Sequence, residues 1–235
     1  MNYLTGDNPV YQVFLHIGIF VFCPGDVNFA DLNGDGLIDS GSGTVDDPGD
    51  RKVIGNSTPR YEYGFRLGAD YKGFDFSVFF QGVGKREVWG NGFLAIAGYN
   101  SSDGAMPQAI AGNYWREDRT DAFYPRPYNL AGSNNSLNMV TQSRYLLDMS
   151  YLRMKNITIG YSIPADILRK VRMQKARIYM SLENFVTWDN LNGLPIDPEE
   201  VQGFSMFNTD NYNSGRTGVG TPTFKSLSVG IQLNF

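Results

Sequence analysis

The side chains best suited to chemistry in this chain lie in one short acidic stretch, DLNGDGLID, at positions 31–39. Asp31, Asn33 and Asp35 occupy alternate positions and Gly36 follows them, which is the D-x-N-x-D-G spacing of an EF-hand calcium loop. In such a loop, alternate oxygen atoms converge on one cation, and the glycine permits the sharp turn between them. The spacing therefore predicts a calcium site.

The predicted site continues with Leu37 and Asp39, but it departs from an EF-hand at its end. The twelfth position, which supplies a bidentate Glu in an EF-hand, is Ser42 here. Residues 40–49 follow Asp39 and bring two further carboxylates. The alternative to a calcium site is an Asp- and Asn-rich turn that is only solvated.

The sequence contains few residues or motifs that are suited to enzymatic chemistry. The chain has one His and one Cys, and it contains neither a G-x-S-x-G nor a phosphate-binding G-x-x-x-x-G-K-[ST] motif. No carboxylate pair is marked by its spacing, so we expect no enzyme activity. A net charge of -4 and a pI of about 5.0 also argue against nucleic-acid binding, which needs clustered Lys and Arg.

Aromatic side chains are a second group with binding chemistry, because they lie among Asp, Asn and Arg in the long irregular stretches. Flat aromatic faces beside hydrogen-bonding groups suit sugar rings or peptides, but aromatics also form the interfacial girdle of membrane β-barrels. Both interpretations stay open for these residues: Trp89, Tyr99, Tyr114, Trp115, Phe123, Tyr124 and Tyr128. No residue is assigned to a substrate.

The elements that must position these groups are predicted by period-2 alternation of apolar and polar residues. In RYEYGFRLGADY (60–71), the apolar face carries mostly Tyr, Phe and Leu, while the other face carries Arg, Glu, Gly and Asp. The two-residue link at 72–73 then predicts an antiparallel hairpin with the next strand. The five predicted strands cover 60–71, 74–85, 149–164, 175–188 and 224–235, with one helical turn near 167–171.

Strand and loop lengths decide the predicted architecture. Strands of about 12 residues, joined alternately by short links and by long polar loops at 86–148 and 189–222, suit transmembrane strands of about 9 to 11 residues. A mean hydropathy of -0.29 excludes a bundle of membrane helices, but it is compatible with strands that are apolar only at every second residue. We therefore predict an all-β fold of antiparallel transmembrane barrel strands. A soluble β-rich surface domain is the alternative.

Several stretches resemble the C-terminal region of the SusC/RagA family of TonB-linked outer-membrane proteins of Bacteroidetes. The similarity runs in order from Pro24 to Phe235 and includes PGDVNFADLNGDGLID, DRKVIGNSTPRYEYGF, LGADYKGFDFSVFFQGVGKR, residues 114–126, YLRMKNITIGYSIP and the last six residues. Residues 1–23 do not match. The apolar run at 13–23 lacks the basic region and cleavage site of a clear signal peptide.

The resemblance implies a role in the outer membrane. Family members resemble other TonB-dependent transporters in having a barrel of about 22 strands, an N-terminal plug and a TonB box. Five strands cannot close a membrane barrel, so we expect this chain to be the C-terminal part of a larger pore that is incapable of transport alone. The expected partners are a SusD-like surface lipoprotein, outer-membrane lipid, a glycan or peptide substrate, and the TonB complex through the missing N-terminal part.

The favoured function is thus the C-terminal barrel portion of a SusC-like importer of oligosaccharides. A RagA-like peptide importer, a non-transporting surface β-domain and a truncated remnant are the alternatives. The resemblance also adds Asp50 to the calcium ligands, because the family carries an Asp just before its R-x-V-I-G stretch. Three regions follow: an unmatched segment at 1–23, an extracellular loop with the D-x-N-x-D-G motif at 24–59, and barrel strands with long outer loops at 60–235.

Overall fold

The computed structural model describes residues 23–89, 108–127, 138, 140–199 and 223–235. Its main element is one antiparallel sheet of five strands in the order β1-β2-β5-β6-β7. The strands are β1 (Tyr61–Tyr71), β2 (Phe74–Gly84), β5 (Tyr151–Ser162), β6 (Lys175–Asp189) and β7 (Ser226–Asn234). All five agree with the strands predicted from the sequence, and their lengths of 9 to 15 residues suit a membrane-spanning wall.

Short links join the strands at one end of the sheet. The β1–β2 hairpin turns through Lys72 and Gly73, both with positive φ, as a two-residue turn between twisted strands requires. The predicted helical turn is present as α1 (Ala165–Leu168) and a 3-10 turn (Arg169–Val171), which connect β5 to β6. We call this the hairpin end, and the opposite end of the sheet the loop end.

Strand register aligns the apolar residues of all five strands. Leu67 faces Val78, Val78 faces Ile157, Ile157 faces Leu182, and Leu182 faces Leu227, so one apolar row crosses the whole sheet. The rows on either side repeat the pattern, and many of these side chains are exposed. A continuous apolar face of this extent is typical of a surface covered by lipid.

The opposite face of the sheet is polar and internally hydrogen bonded. Arg177 on β6 donates from Nε to Asp75 Oδ1 on β2 at 2.8 Å and from its terminal nitrogen to Asp75 Oδ2. Asn156 donates to the Ser181 hydroxyl at 2.9 Å across the β5–β6 pair. Such a polar face is the counterpart of the lumen wall in a membrane barrel.

A β-bulge changes the phase of alternation in β5. Register shifts between Met154 and Asn156, so Lys155 is an extra residue opposite β2. Strict alternation would place Arg153 on the apolar face with Ile157. The bulge places it on the polar face instead.

At the loop end, the chain packs a small core that sequence analysis did not predict. Two short strands, β3 (Glu87–Trp89) and β4 (Leu146–Asp148), pair within the stretch predicted to be wholly irregular. The core contains Val27, Ile110, Tyr124, Tyr145, Leu147, Met149, Leu191, Leu194 and Ile196. Two members of this loop-end core, Leu147 and Met149, come shortly before the first residue of β5 in the chain.

Within the described residues, the helical segments are too short and too polar to cross a membrane.

Candidate functional site: a charged clamp and cleft at the loop end

The side chain of Arg153, near the start of β5, donates hydrogen bonds to four other residues. It donates to Asp197 Oδ1 at 2.7 Å, to Glu199 Oε2 at 2.5 Å and to the Thr187 hydroxyl at 2.8 Å. Its side chain is only 6% exposed. A buried guanidinium with two carboxylate partners is fully neutralised, which burial of a charge requires.

The residues on either side of positions 200–222 meet at this arginine. Asp197 and Glu199 precede residues 200–222, and Thr223 follows them. Arg153 donates to the Thr223 hydroxyl at 3.2 Å, and that hydroxyl donates to Asp197 Oδ2 at 2.9 Å. The group therefore ties the two flanks to the barrel wall, and we call it the Arg153 clamp.

Lys155 and Tyr151 complete the clamp around Glu199. Lys155 Nζ lies 3.1 Å from each Glu199 oxygen, and the Tyr151 hydroxyl donates to Oε1 at 3.1 Å. The bulge at Lys155 supplies the ammonium that a regular strand would lack at this position. Burial raises the pKa of Asp197, but hydrogen bonds from Arg153, the Glu199 amide and Thr223 outweigh it and hold that pKa below its usual value.

A cleft of about 730 Å³ opens beside the clamp. Its lining comprises Glu62, Tyr63, Gly64, Phe79, Gln81, Gly82, Val83, Arg86, Tyr151, Lys155 and Glu199. The cleft thus joins the polar face of β1, β2 and β5 to the segment held by the clamp. Its volume is in the range of sites that bind small ligands.

Arg86 stands out among the lining residues because no described residue forms an ion pair with it. The residue is 8% exposed, and its terminal nitrogen donates to the Pro198 carbonyl. Its Nε is buried without a hydrogen-bond partner, and Arg86 forms no ion pair within the described residues. Sequence analysis did not single out this residue, because a lone Arg after a strand has no distinguishing pattern.

The structure also places the predicted calcium ligands. Asp31 accepts from the Gly34 and Gly36 amides at 2.6 and 2.9 Å, and Asp50 accepts from the Leu32 and Asp39 amides at 2.6 and 2.9 Å. Asp50 is thereby brought to the loop, although residues 40–49 separate it from Asp39 in sequence.

The remaining predicted ligands take part in the same local hydrogen bonding. Asp35 accepts from the Leu37 amide at 2.8 Å, and Asn33 accepts from the Asp35 amide at 3.0 Å. Asp39 accepts from the Gly41 amide at 2.8 Å. Within the described residues, no three Asp, Glu, His or Cys side chains converge closely enough to hold a metal ion. Calcium binding stays a prediction.

The loop aromatics are mostly core residues. Trp115 is 5% exposed and Tyr124 is 6% exposed, while Trp89 and Tyr114 pack against the loop-end core. Phe123 is 41% exposed and stacks edge-on against Tyr145. Tyr99 and Tyr128 lie outside the described residues. Burial of the two most enclosed rings removes them from any substrate surface.

An antiparallel sheet of long strands, with one apolar face and one charged face, defines a segment of an outer-membrane β-barrel wall. Comparisons with known proteins agree with this class. No family model matches the chain. TonB-dependent receptor P3 of Formosa agariphila is 31% identical over 217 residues, which are 90% of this chain and 19% of the receptor. TonB-dependent receptor P26 of the same organism is 26% identical over 212 residues, 90% of this chain and 20% of the receptor.

Solved structures show the same fold. The RagAB peptide transporter aligns with a TM-score of 0.54 and 24% identity, covering 78% of this chain and 18% of that one. The RagAB peptide importer in the open-open state aligns with a TM-score of 0.51. The chain belongs with the TonB-dependent receptors, which are proteins of the outer membrane, and its fold is like that of the RagAB peptide transporter. It spans about a fifth of the length of the curated relatives, and its kinship with receptors confirms the prediction that it is not an enzyme.

Proposed function

We propose that this chain forms part of the barrel wall of a TonB-dependent importer in the outer membrane. The observation that carries this proposal is the register of the five-stranded sheet, which makes one face apolar, as lipid requires, and the other polar. The 31% identity to a TonB-dependent receptor supports the same function. The mechanism would be passive for this segment: it encloses the route and positions outer loops, and it supplies no reacting group.

The substrate proposed first is an oligosaccharide, with a SusD-like surface lipoprotein as the partner at the outer mouth. Coupling to the TonB complex would use the plug and TonB box that the resembled family carries N-terminal to such strands. Peptides are the second candidate, favoured by the structural likeness to the RagAB peptide transporter. Both substrates are compatible with a polar lumen face.

Deletion of the encoding gene in its source bacterium tests the import function. Growth would be measured on oligosaccharide mixtures as sole carbon source and on peptide mixtures as sole nitrogen source, with the restored gene as control. Selective loss of growth on one mixture supports import and identifies the substrate class. Unchanged growth and unchanged uptake of both mixtures would favour a non-transporting surface domain or a remnant.

Calcium binding by the loop at 31–50 is a separate proposal. It rests on the D-x-N-x-D-G spacing and on the return of Asp50 to the loop through the Leu32 amide. Isothermal titration of the purified protein with calcium would be compared with an Asp31→Asn, Asp35→Asn double variant. Binding heat in the parent protein alone supports the site. Absence of heat at millimolar calcium rejects it.

A further inference from the structure

Arg86, which lines the cleft at the loop end, has no ion-pair partner in the part of the chain that the structure describes. A guanidinium taken out of water without a counter-charge is unfavourable by several kcal/mol in general, so proteins pair such groups. The neighbouring Arg153 follows that rule with two carboxylates. Arg86 does not, although it lines the same cleft.

The other charges around the cleft are already matched or lie towards solvent. Glu199 is held by Arg153, Lys155 and Tyr151, so it has no charge to spare for Arg86. Glu62 on β1 is exposed and makes no ion pair within the described residues. Burial lowers the pKa of the Arg86 guanidinium, with Tyr151 and Glu62 acting in the opposite direction. It stays a cation at neutral pH.

We propose that the cleft binds a carboxylate group of the imported substrate, and that Arg86 is the residue that contacts it. Guanidinium and carboxylate are matched in geometry and charge, and Arg86 lines the cleft without an ion-pair partner among the described residues. Glu62 and Gln81 line the same cleft and can accept from hydroxyl or amide groups next to that carboxylate.

The shape of the cleft supports a small acidic unit. Gly64 and Gly82 line it, so two of its wall positions carry no side chain. A volume of about 730 Å³ accommodates one or two sugar or amino-acid units. The carboxylate site adds a substrate class to the proposed import function, and the identity of its ligand as a transported substrate rests on that function. A uronic-acid sugar and an acidic peptide share the required carboxylate.

The test is calorimetric titration of the protein purified from the outer membrane in detergent. Four probes are compared: a uronic-acid disaccharide, its neutral hexose counterpart, an acidic dipeptide and its amide counterpart. The proposal expects an acidic probe to bind the parent protein at least tenfold more tightly than its neutral counterpart, since a charged hydrogen bond contributes about that much. The preferred pair identifies the source of the carboxylate. Equal or absent binding of acidic and neutral probes overturns the proposal.

Three variants then place the interaction at Arg86. Arg86→Met is expected to weaken binding of the acidic probe at least tenfold, and Arg86→Lys to weaken that binding less. Arg60 is an exposed arginine outside the cleft, so Arg60→Met should leave binding of the probe unchanged. Heat-modifiable migration on gels verifies that each barrel is folded. Acidic-probe binding that persists in a folded Arg86→Met protein overturns the assignment. If gene deletion leaves uptake unchanged while Arg86-dependent binding is present, the proposal of import is rejected and the proposal of a carboxylate site is supported.

Discussion

At the scale of single residues, the Arg153 clamp is where the largest effect on loop structure is expected. Arg153→Met would leave the Asp197 and Glu199 carboxylates partly buried with fewer partners, because Lys155 contacts only Glu199. Breaking one side of a buried ion pair costs about 3 to 5 kcal/mol. Limited proteolysis in detergent should therefore show faster cleavage between residues 197 and 223.

Two controls accompany this prediction. Arg153→Lys keeps the charge and should restore part of the protection. Arg116→Met removes one partner of an exposed ion pair with Asp118, and it should change nothing. Equal cleavage of the Arg153→Met variant and the parent protein would mean that the clamp does not hold the loop.

Asp50 carries the second prediction at this scale. Amide hydrogen bonds from Leu32 and then Asp39 hold the pKa of its carboxyl below the usual value. A carboxyl with a lowered folded-state pKa stabilises the fold above its unfolded pKa, and that contribution disappears as pH falls through the folded value. The loop at 31–50 should therefore loosen below about pH 4.

Hydrogen exchange of the Leu32 and Asp39 amides, corrected for intrinsic rates, would measure this loosening. Protection of both amides is expected to fall together on acidification in the parent protein. In Asp50→Asn, protection should already be low near neutral pH and should depend less on pH. A pH-independent parent would contradict the prediction.

At the scale of elements, glycine and tyrosine pairs join neighbouring strands of the sheet. Tyr63 faces Gly82 across β1 and β2, and Tyr179 faces Gly230 across β6 and β7. A Cβ on Gly82 would lie 2.6 Å from the Tyr63 ring and 2.5 Å from the Tyr151 carbonyl oxygen. Neither approach leaves room for a methyl group. The glycine is therefore part of the strand packing.

Gly82→Ala should consequently separate β2 from β5 and reduce stability by about 1 to 3 kcal/mol, as overpacking does. Gly68→Ala on β1 is the matched control, because its new Cβ would meet only the Phe76 carbonyl oxygen at 3.4 Å. The temperature at which heat-modifiable migration is lost would be compared for the two variants. Equal temperatures would show that the Gly82 backbone can move without cost.

The elements also show how far sequence reasoning reaches. Alternation of apolar and polar residues predicts all five long strands, because apolar residues at every second position fit a half-buried strand and do not fit a helix. Alternation does not predict the face on which Arg153 lies. That face depends on the β-bulge at Lys155, and a bulge leaves no periodic pattern in the sequence. Arg86 could not be identified either, because its burial without a counter-charge among the described residues depends on packing between segments that are distant in sequence, such as its contact with Pro198.

At the scale of the whole molecule, the two faces of the sheet distinguish a membrane wall from a soluble β-domain. Val229 on β7 is 71% exposed, and it belongs to an apolar row with Met180, Ile159 and Phe76. A soluble protein seldom leaves such a surface uncovered. The polar face, by contrast, carries hydrogen-bonded ion pairs such as Asp75 with Arg177. Lipid on one side and water on the other explains both.

Leu227→Arg tests this assignment directly, because Leu227 lies in the central apolar row opposite Leu182. An arginine at the midplane of the lipid face should reduce barrel stability by about 2 to 4 kcal/mol. Ser228→Arg places the same side chain on the adjacent residue of the same strand, facing the lumen, and should be tolerated. The amount of folded protein in outer-membrane fractions would be compared for the two variants. Loss of folded protein with Leu227→Arg alone supports the lipid face. Equal recovery of both variants would remove the assignment of the faces, and loss with Ser228→Arg alone would reverse it.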